Sequence, residues 1–128
     1  MPIITCEYAT TLDTATRKQL AESLTGIVND VIASPLELIS IVLRQPDKDQ
    51  MWVAAKPSEE VLIFCYIRAG RPVHLRTELA KRVSKVWNAL VGTPEASIEV
   101  LVMEIPAVQV VRGGERLPEP PLSVTAEA

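Results

Sequence analysis

Two kinds of hydrophobic pattern alternate along the chain. Two long segments carry apolar residues at three- and four-residue spacing, which is typical of helices with one buried face. The first stripe is Leu20, Leu24, Ile27, Val28, Val31 and Ile32, and the second is Leu75, Leu79, Val83, Val86, Trp87 and Leu90. Short apolar runs flank each stripe and predict strands over residues 3–8, 38–43, 61–67 and 98–103.

Polar and glycine or proline residues predict where these elements end. Asp13 or Thr14 can cap the first helix, and Ser34-Pro35 ends it. Pro72 suits the first turn of the second helix, which Gly92-Thr93-Pro94 ends. Residues 45–56 predict a loop with a short hairpin. The segment from Pro106 predicts a short strand or turn and then an extended, partly mobile end.

The chain repeats itself when it is shifted by 59 positions. The identical pairs include Cys6 with Cys65, Arg17 with Arg76, Leu20-Ala21 with Leu79-Ala80, Asn29 with Asn88, Pro35 with Pro94, and Ile39 with Ile98. Such self-similarity indicates two copies of one supersecondary unit. We therefore predict a single domain over residues 1–128, with repeats at about 2–58 and 59–106 and a C-terminal tail at 107–128.

Each repeat predicts a strand, a helix and a second strand, and such a βαβ unit has parallel strands and a right-handed crossover. Two units related by a pseudo-twofold axis predict an α/β (α+β) fold, in which a four-stranded mixed sheet carries two helices on one face. The first strand of each repeat is almost continuously apolar, a pattern typical of strands buried on both faces. Because the chain has no third layer, we expect other subunits to cover the second face, in an obligate homo-oligomer.

Composition narrows the classes of function. The chain has 128 residues, is 48% hydrophobic and carries a net charge of −3 without a basic cluster, which argues against nucleic acid as a partner. Its apolar runs are too short to span a membrane, and no signal segment precedes the first strand, so we expect a cytoplasmic protein. Cys6 and Cys65 are then expected to be reduced and buried. With His74 as the single histidine and no CxxC or cofactor motif, the sequence predicts no metal and no cofactor.

Pro2, directly behind the initiator methionine, is a candidate catalytic residue. If Met1 is removed, the new N-terminus is a secondary amine. An apolar pocket and nearby guanidinium groups disfavour its cation and lower its pKa. A neutral amine near pH 7 can take a proton from carbon or oxygen and return it elsewhere. If Met1 stays, the Pro2 nitrogen is an amide and cannot act as a base.

Arg68 and Arg71 are candidate catalytic and substrate-binding residues. Arg68 ends the third predicted strand, Gly70 permits a tight turn, and Arg71 precedes Pro72 at the start of the second helix. A cation at a helix N-terminus is unfavourable unless it shares an anion with the free amides of the first turn. The pattern therefore favours Arg71 as a carboxylate binder, with Arg68 on the same carboxylate or on another oxygen of the substrate.

A duplicated βαβ chain that begins at Pro2 resembles the tautomerase superfamily. Residues 63–83, IFCYIRAGRPVHLRTELAKRV, are similar to the R-x-G-R segment of cis-3-chloroacrylic acid dehalogenase, and residues 103–118, MEIPAVQVVRGGERLP, resemble the C-terminal region of that family. The resemblance implies a tautomerase (MIF-like) fold, a homotrimer, an N-terminal proline base, no cofactor and a small-molecule carboxylate as substrate.

Three positions depart from the dehalogenase pattern. The resemblance places a histidine, a tyrosine and a glutamate where this chain has Val28, Leu101 and Arg112. Hydrolytic dehalogenation needs a carboxylate to activate water, and Arg112 reverses that charge. We therefore expect at most weak dehalogenase or hydratase activity, whereas proton shuttling needs only the amine and an anion clamp.

The sequence thus predicts a cofactor-independent tautomerase of 2-oxo acids such as phenylpyruvate. Two alternatives stay open: a lyase resembling malonate semialdehyde decarboxylase, with a cationic Pro2, and a non-catalytic ferredoxin-like ligand-binding module. The antiparallel sheet of the ferredoxin-like arrangement would distinguish that module. Among secondary candidates, Trp52 and Tyr66 can line a pocket or belong to the core or an interface, and His74 is expected to be exposed. Arg112 can add a third cationic contact, and the Asn29–Asn88 pair suggests a structural role.

Overall fold

The computed structural model describes residues 1–47 and 49–120. Its elements in chain order are β1 (Ile3–Glu7), α1 (Thr14–Ile32), β2 (Ser40–Arg44), β3 (Trp52–Val53), β4 (Lys56–Pro57), β5 (Val61–Arg68), α2 (Val73–Val91), β6 (Ile98–Ile105), β7 (Val111–Arg112) and β8 (Glu115–Arg116). Single 3₁₀ turns precede β2, β6 and β7, at Leu36–Leu38, Glu95–Ser97 and Ala107–Gln109.

Four strands form one mixed sheet in the order β2-β1-β5-β6. Within each repeat the strands are parallel, as β1 is to β2 and β5 is to β6, while the two repeats meet through the antiparallel pair β1–β5. The predicted mixed sheet is confirmed. The ferredoxin-like alternative is wrong, because its sheet would be antiparallel throughout.

The helix ends largely follow the predicted local signals. The Asp13 side chain accepts a hydrogen bond from the Thr16 amide at 2.7 Å, so it caps α1. Pro72 is the N-cap of α2 and lies one position before the first helical residue. Gly92 ends α2 with a φ of 89° and donates its N–H to the Asn88 carbonyl at 2.9 Å.

Asn29 and Asn88 have the same structural role in the two repeats. Asn29 Nδ2 donates to the Ser34 carbonyl at 2.8 Å, and Asn88 Nδ2 donates to the Thr93 carbonyl at 2.7 Å. Each amide thereby ties the second half of its helix to the loop that follows. The structural role suggested by the repeat is confirmed.

The two sheet faces differ in what covers them. Both helices pack on one face, where Ile4, Cys6, Ile63 and Cys65 are fully buried beneath them. The other face, here called the open face, carries apolar side chains from all four strands, and no layer formed by the described residues covers them. Its apolar residues include Ile3, Val42, Leu62, Phe64, Tyr66, Leu101 and Met103.

Strand boundaries and burial depart from the prediction in three places. β2 begins at Ser40 instead of residue 38 because the preceding residues form a 3₁₀ turn, and β6 continues to Ile105. The expectation that β1 and β5 are buried on both faces is not met within one chain, because burial alternates along β5. The expected end of the tail, residues 121–128, lies outside the described residues.

Candidate active site

The start of the chain lies against the end of β5. In the antiparallel pair, Ile3 is opposite Tyr66, and continuing this register places Pro2 opposite Ile67 and Met1 opposite Arg68. Pro2 is fully buried, and its carbonyl accepts a hydrogen bond from the Ser40 amide at 3.0 Å. The proline ring is therefore fixed between the edge strand and β5.

Arg68 is the last residue of β5 and only 5% exposed. Its guanidinium Nη1 donates to the carbonyl of Pro118 in the tail. Pro120, which is buried, lies near the turn at Gly70: a Cβ added there would be 3.8 Å from the Pro120 ring. The described end of the tail thus covers the buried arginine.

Arg71 is 4% exposed and directed toward backbone carbonyls. Its Nη1 donates to the Arg68 carbonyl at 2.9 Å, and its Nη2 lies 3.5 Å from the Ile32 carbonyl at the end of α1. Its Nε has no hydrogen-bond partner in the described part of the chain. Burial, and then the neighbouring Arg68 cation, lower the pKa of Arg71 to about 10.

The turn between the two arginines is held by Glu104. Gly70 has a φ of 118°, which L-residues rarely adopt, and its amide donates to Glu104 Oε2 at 3.3 Å. The other oxygen of Glu104 accepts from Arg76 at 2.9 Å in an ion pair. Both carboxylate oxygens of Glu104 therefore have partners, one being Arg76 of α2 and the other the Gly70 amide of the turn.

The electrostatic surroundings of the chain start are cationic. Burial, then Arg112 and then Arg68, lower the pKa of the Met1 amine below its usual value of 8.0. Among residues 1–47 and 49–120, neither Arg68, Arg71 nor Arg112 forms an ion pair with a carboxylate. The N-terminal turn of α2 also has no acidic residue, and Pro72 offers no side-chain acceptor. These cationic side chains and the first-turn amides of α2 can bind an anion beside an amine of lowered pKa.

Of the predicted site residues, the structure brings Arg68 to the chain start and ties the Arg71 side chain to the Arg68 carbonyl. Arg112, which the sequence suggested only as a third cation, contributes to the lowered pKa of the Met1 amine. The sequence had pointed to position 112 because the resemblance implies a glutamate there, whereas this chain has an arginine of opposite charge. Its position depends on the hairpin β7–β8, whose Gly113 and Gly114 both have positive φ.

Other candidates lie elsewhere. Val28, where the resemblance implies a histidine, is fully buried in the core, and Leu101 is on the open face with Tyr66. His74 is exposed, as predicted, and Trp52 is exposed in the hairpin β3–β4. Both cysteines are buried, and burial raises the pKa of each thiol to about 12.

A cavity of about 490 Å³ lies at the opposite end of β1 from Pro2 and is separate from this site. Its lining includes Ala9, Gln45, Asp47 and Glu59, which follow β1 and β2 or precede β5. In the described ranges no group of three or more histidine, cysteine or acidic side chains is arranged to hold a metal ion. Neither described helix has the length and apolar character needed to cross a membrane.

Comparison with known proteins gives solved structures of the same fold. No protein-family model and no curated protein sequence matches the chain. The crystal structure of native Ps01740 is 26% identical, with a TM-score of 0.84, over 87% of this chain and all of that one. N1, a member of the cis-3-chloroacrylic acid dehalogenase family, is 24% identical, with a TM-score of 0.87, over 98% of this chain and 97% of its own.

A fused 4-OT structure, solved as an asymmetric trimer, is 20% identical over 90% of this chain and 95% of its own, with a TM-score of 0.86. The structure of Pt0534 inactivated by 2-oxo-3-pentynoate is 22% identical over 90% of this chain and 96% of its own, with a TM-score of 0.84. The chain therefore has the fold of these proteins. The resemblance inferred from the sequence is confirmed at the level of fold.

Proposed function

We propose that this chain is a cofactor-independent enzyme of the tautomerase superfamily that interconverts the keto and enol forms of a 2-oxo acid. The proposed base is the amine of Pro2, set free when Met1 is removed. The observation that carries this proposal is the β1–β5 register, in which the chain start is opposite Arg68, a buried arginine that forms no ion pair within residues 1–47 and 49–120.

In the proposed reaction, the neutral Pro2 amine takes a proton from C3 of the keto acid. The electron pair of that C–H bond forms the C2–C3 double bond, and the carbonyl electrons move to the oxygen as an enolate. The ammonium then returns the proton to this oxygen and releases the enol. Arg68 binds the carboxylate and stabilises the enolate charge, replacing its present acceptor, the Pro118 carbonyl.

Arg71 is proposed to contribute to the same carboxylate site. Its two terminal nitrogens are directed toward backbone carbonyls, and Nε is the nitrogen left without a partner in the described chain. A buried cation without a counter-charge is costly, so an anion that reaches Arg68 and Arg71 relieves an unfavourable arrangement. This favours tight binding of a small carboxylate.

The amine pKa supports a base over an electrophilic ammonium. Burial and two arginines lower the pKa of the terminal amine at Met1, and the Pro2 nitrogen lies one residue deeper in the same surroundings. Decarboxylation through a cationic Pro2 would need the protonated form, which these surroundings disfavour. Dehalogenation lacks the required carboxylate at position 112 and is proposed as a weak side reaction at most.

We further propose that the active form is a homotrimer. The open face carries exposed apolar side chains from β1, β2 and β6, and larger exposed patches of this kind mark protein interfaces. The fused 4-OT structures of the same fold are trimers by name.

The enol of phenylpyruvate provides the assay, because its absorbance falls as the keto form appears. Three samples are compared: the chain with Met1 removed, confirmed by intact mass; the same chain with a retained N-terminal extension; and Arg68→Ala. The extension preserves every side chain but makes the Pro2 nitrogen an amide, so we expect loss of activity. Arg82→Ala, which breaks an exposed ion pair with Asp30, is the matched control and should keep full activity.

The pH profile tests the state of the amine. The neutral fraction rises with pH, so kcat/KM should rise through the amine pKa and level off above it. Removing the Arg68 cation raises that pKa, so any residual activity of Arg68→Met should rise at higher pH than that of the wild type. Equal rates in the extended and processed chains would refute Pro2 as the base.

A further inference from the structure

We propose that Glu104 is a positioning residue for the substrate carboxylate: it holds the turn between Arg68 and Arg71 in the shape that lets both arginines reach one anion. The inference rests on the proposed function, because it concerns how the proposed carboxylate site is built. It adds a residue that acts through the turn instead of contacting the substrate.

Glu104 lies beside the end of β5, where the turn begins. In the parallel β5–β6 register it is opposite the residue that precedes Arg68. The pairing continues past the strand, because the Ala69 amide donates to the Ile105 carbonyl at 2.8 Å. The Glu104 side chain, which is 25% exposed, then accepts from the Gly70 amide at 3.3 Å. Two successive residues of the turn are thus attached to β6.

The second carboxylate oxygen connects the same turn to α2. Oε1 of Glu104 accepts from Arg76 at 2.9 Å, and Arg76 lies in the first turn of α2. The turn is closed from its other side by Arg71, whose Nη1 donates to the Arg68 carbonyl at 2.9 Å. One carboxylate therefore fixes the end of β5, the turn and the start of α2 relative to one another. These elements carry both arginines and the first-turn amides that can bind an anion.

The first repeat has a neutral side chain in the same structural position. When the chain is shifted by 59 positions, Glu104 corresponds to Gln45. Gln45 Nε2 donates to the Ala9 carbonyl and to Thr11 Oγ1, both at 3.3 Å, and so ties down the turn after β1. That turn has Ala9 and Leu12 where the second repeat has its two arginines. The carboxylate occurs in the repeat whose turn is cationic, which favours a role in the anion site.

The charge of Glu104 and its geometry have opposite effects on anion binding. Burial and then the Arg68 cation lower the pKa of Arg71, and the Glu104 carboxylate opposes this shift. If Glu104 acted only through its charge, neutralising it would remove a repulsion and tighten the binding of an anion. The positioning role predicts weaker binding, because a glutamine has one accepting oxygen and satisfies only one of the donors on Gly70 and Arg76.

Calorimetry with 3-phenylpropanoate measures the carboxylate site without turnover, since this acid has the ring and carboxylate of phenylpyruvate but no oxo group. In the chain with Met1 removed, Glu104→Gln should weaken binding about tenfold, which corresponds to about 1.4 kcal/mol. Glu104→Asp keeps the charge on a side chain too short to span both donors, so it should weaken binding by a similar factor. KM for the phenylpyruvate enol should rise with it, which loss of stability alone would not cause.

Two controls separate this role from a general effect on the fold. Asp30→Asn makes the same chemical change in another carboxylate that is paired with an arginine, Arg82 at 2.6 Å. Gln45→Ala removes the corresponding tie in the first repeat. Both should bind 3-phenylpropanoate like the wild type, even where urea denaturation shows a lower free energy of unfolding.

The outcomes distinguish this inference from the proposed function. Unchanged or tighter binding in Glu104→Gln, wild-type affinity in Glu104→Asp, or an equal loss in either control would each overturn it. A wild type that does not bind the acid would overturn it together with the proposed carboxylate site. Weaker binding in both Glu104 variants, combined with equal turnover of the extended and processed chains, would support the role of Glu104 and overturn only Pro2 as the base.

Discussion

A single charge on the open face should prevent the proposed homotrimer from assembling. Leu101 is at the middle of β6, directly beside Phe64 of β5, and 38% of it is exposed in the isolated chain. Met103, on the same face of β6, is also exposed. If another subunit covers this face, Leu101 becomes buried on assembly, and Leu101→Glu places a carboxylate among apolar side chains.

The expected effect is large on assembly and small on folding. Burial of an ionised carboxylate without a partner costs several kcal/mol in real proteins. A loss of about 4 kcal/mol weakens association about a thousandfold, which converts an oligomer with a Kd of about a micromolar into a monomer at micromolar protein. In the monomer the new side chain reaches water, and substitutions at exposed positions usually change stability by about 0.5 kcal/mol or less.

Sedimentation velocity at 1–50 micromolar, about the range in which such a shift is visible, measures the outcome. Val73→Glu is the matched control: it makes the same change on the helical side, where Val73 is 64% exposed at the start of α2. It should assemble like the wild type. A wild-type chain that sediments as a monomer, or a Leu101→Glu chain that assembles normally, would refute the assignment of the open face as an interface.

Three further predictions concern local structure. Gly70→Ala should lower the free energy of unfolding, measured by urea denaturation, by about 1–3 kcal/mol, because a φ of 118° is strained for alanine. Gly26→Ala, in the middle of α1 with free space around it, should raise this free energy by about 0.5–1 kcal/mol. Changes of the same sign in both variants would contradict this reasoning. Cys6 and Cys65, with pKa values raised to about 12 by burial, should react with Ellman's reagent only after unfolding, so rapid labelling of the native chain would count against their burial. Asn88→Asp removes the donor to the Thr93 carbonyl and should cost about 1–3 kcal/mol; an unchanged melting temperature would show that this bond does not hold the loop.

Much of the local structure follows from the sequence because its causes lie within one helical turn. The buried stripes, the Asp13 cap and the glycine that ends α2 depend on neighbours at most five residues away. The duplication then predicts that both halves have the same order of strand, helix and strand. The 3₁₀ turn that shortens β2 was missed, since apolar Leu36 and Leu38 match a strand as well as a turn.

The site is different because its parts come from distant regions of the chain. The R-x-G-R pattern marked Arg68 and Arg71 as a pair, but the structure separates their surroundings: Arg71 is directed toward the end of α1, and Arg68 toward the tail. No pattern within either segment encodes those partners, which are 39 and 50 residues away.

By itself, the sequence determined the repeat, the helices and their caps, the mixed sheet and the set of candidate residues, because periodicity and capping are short-range properties. Only the tertiary structure decided the register of the β1–β5 pair, which sets the chain start against Arg68, and the approach of the tail, whose Pro118 carbonyl accepts from Arg68. Strand register and the approach of a distant loop are fixed by packing of the whole sheet, where burial of one face selects a single alignment.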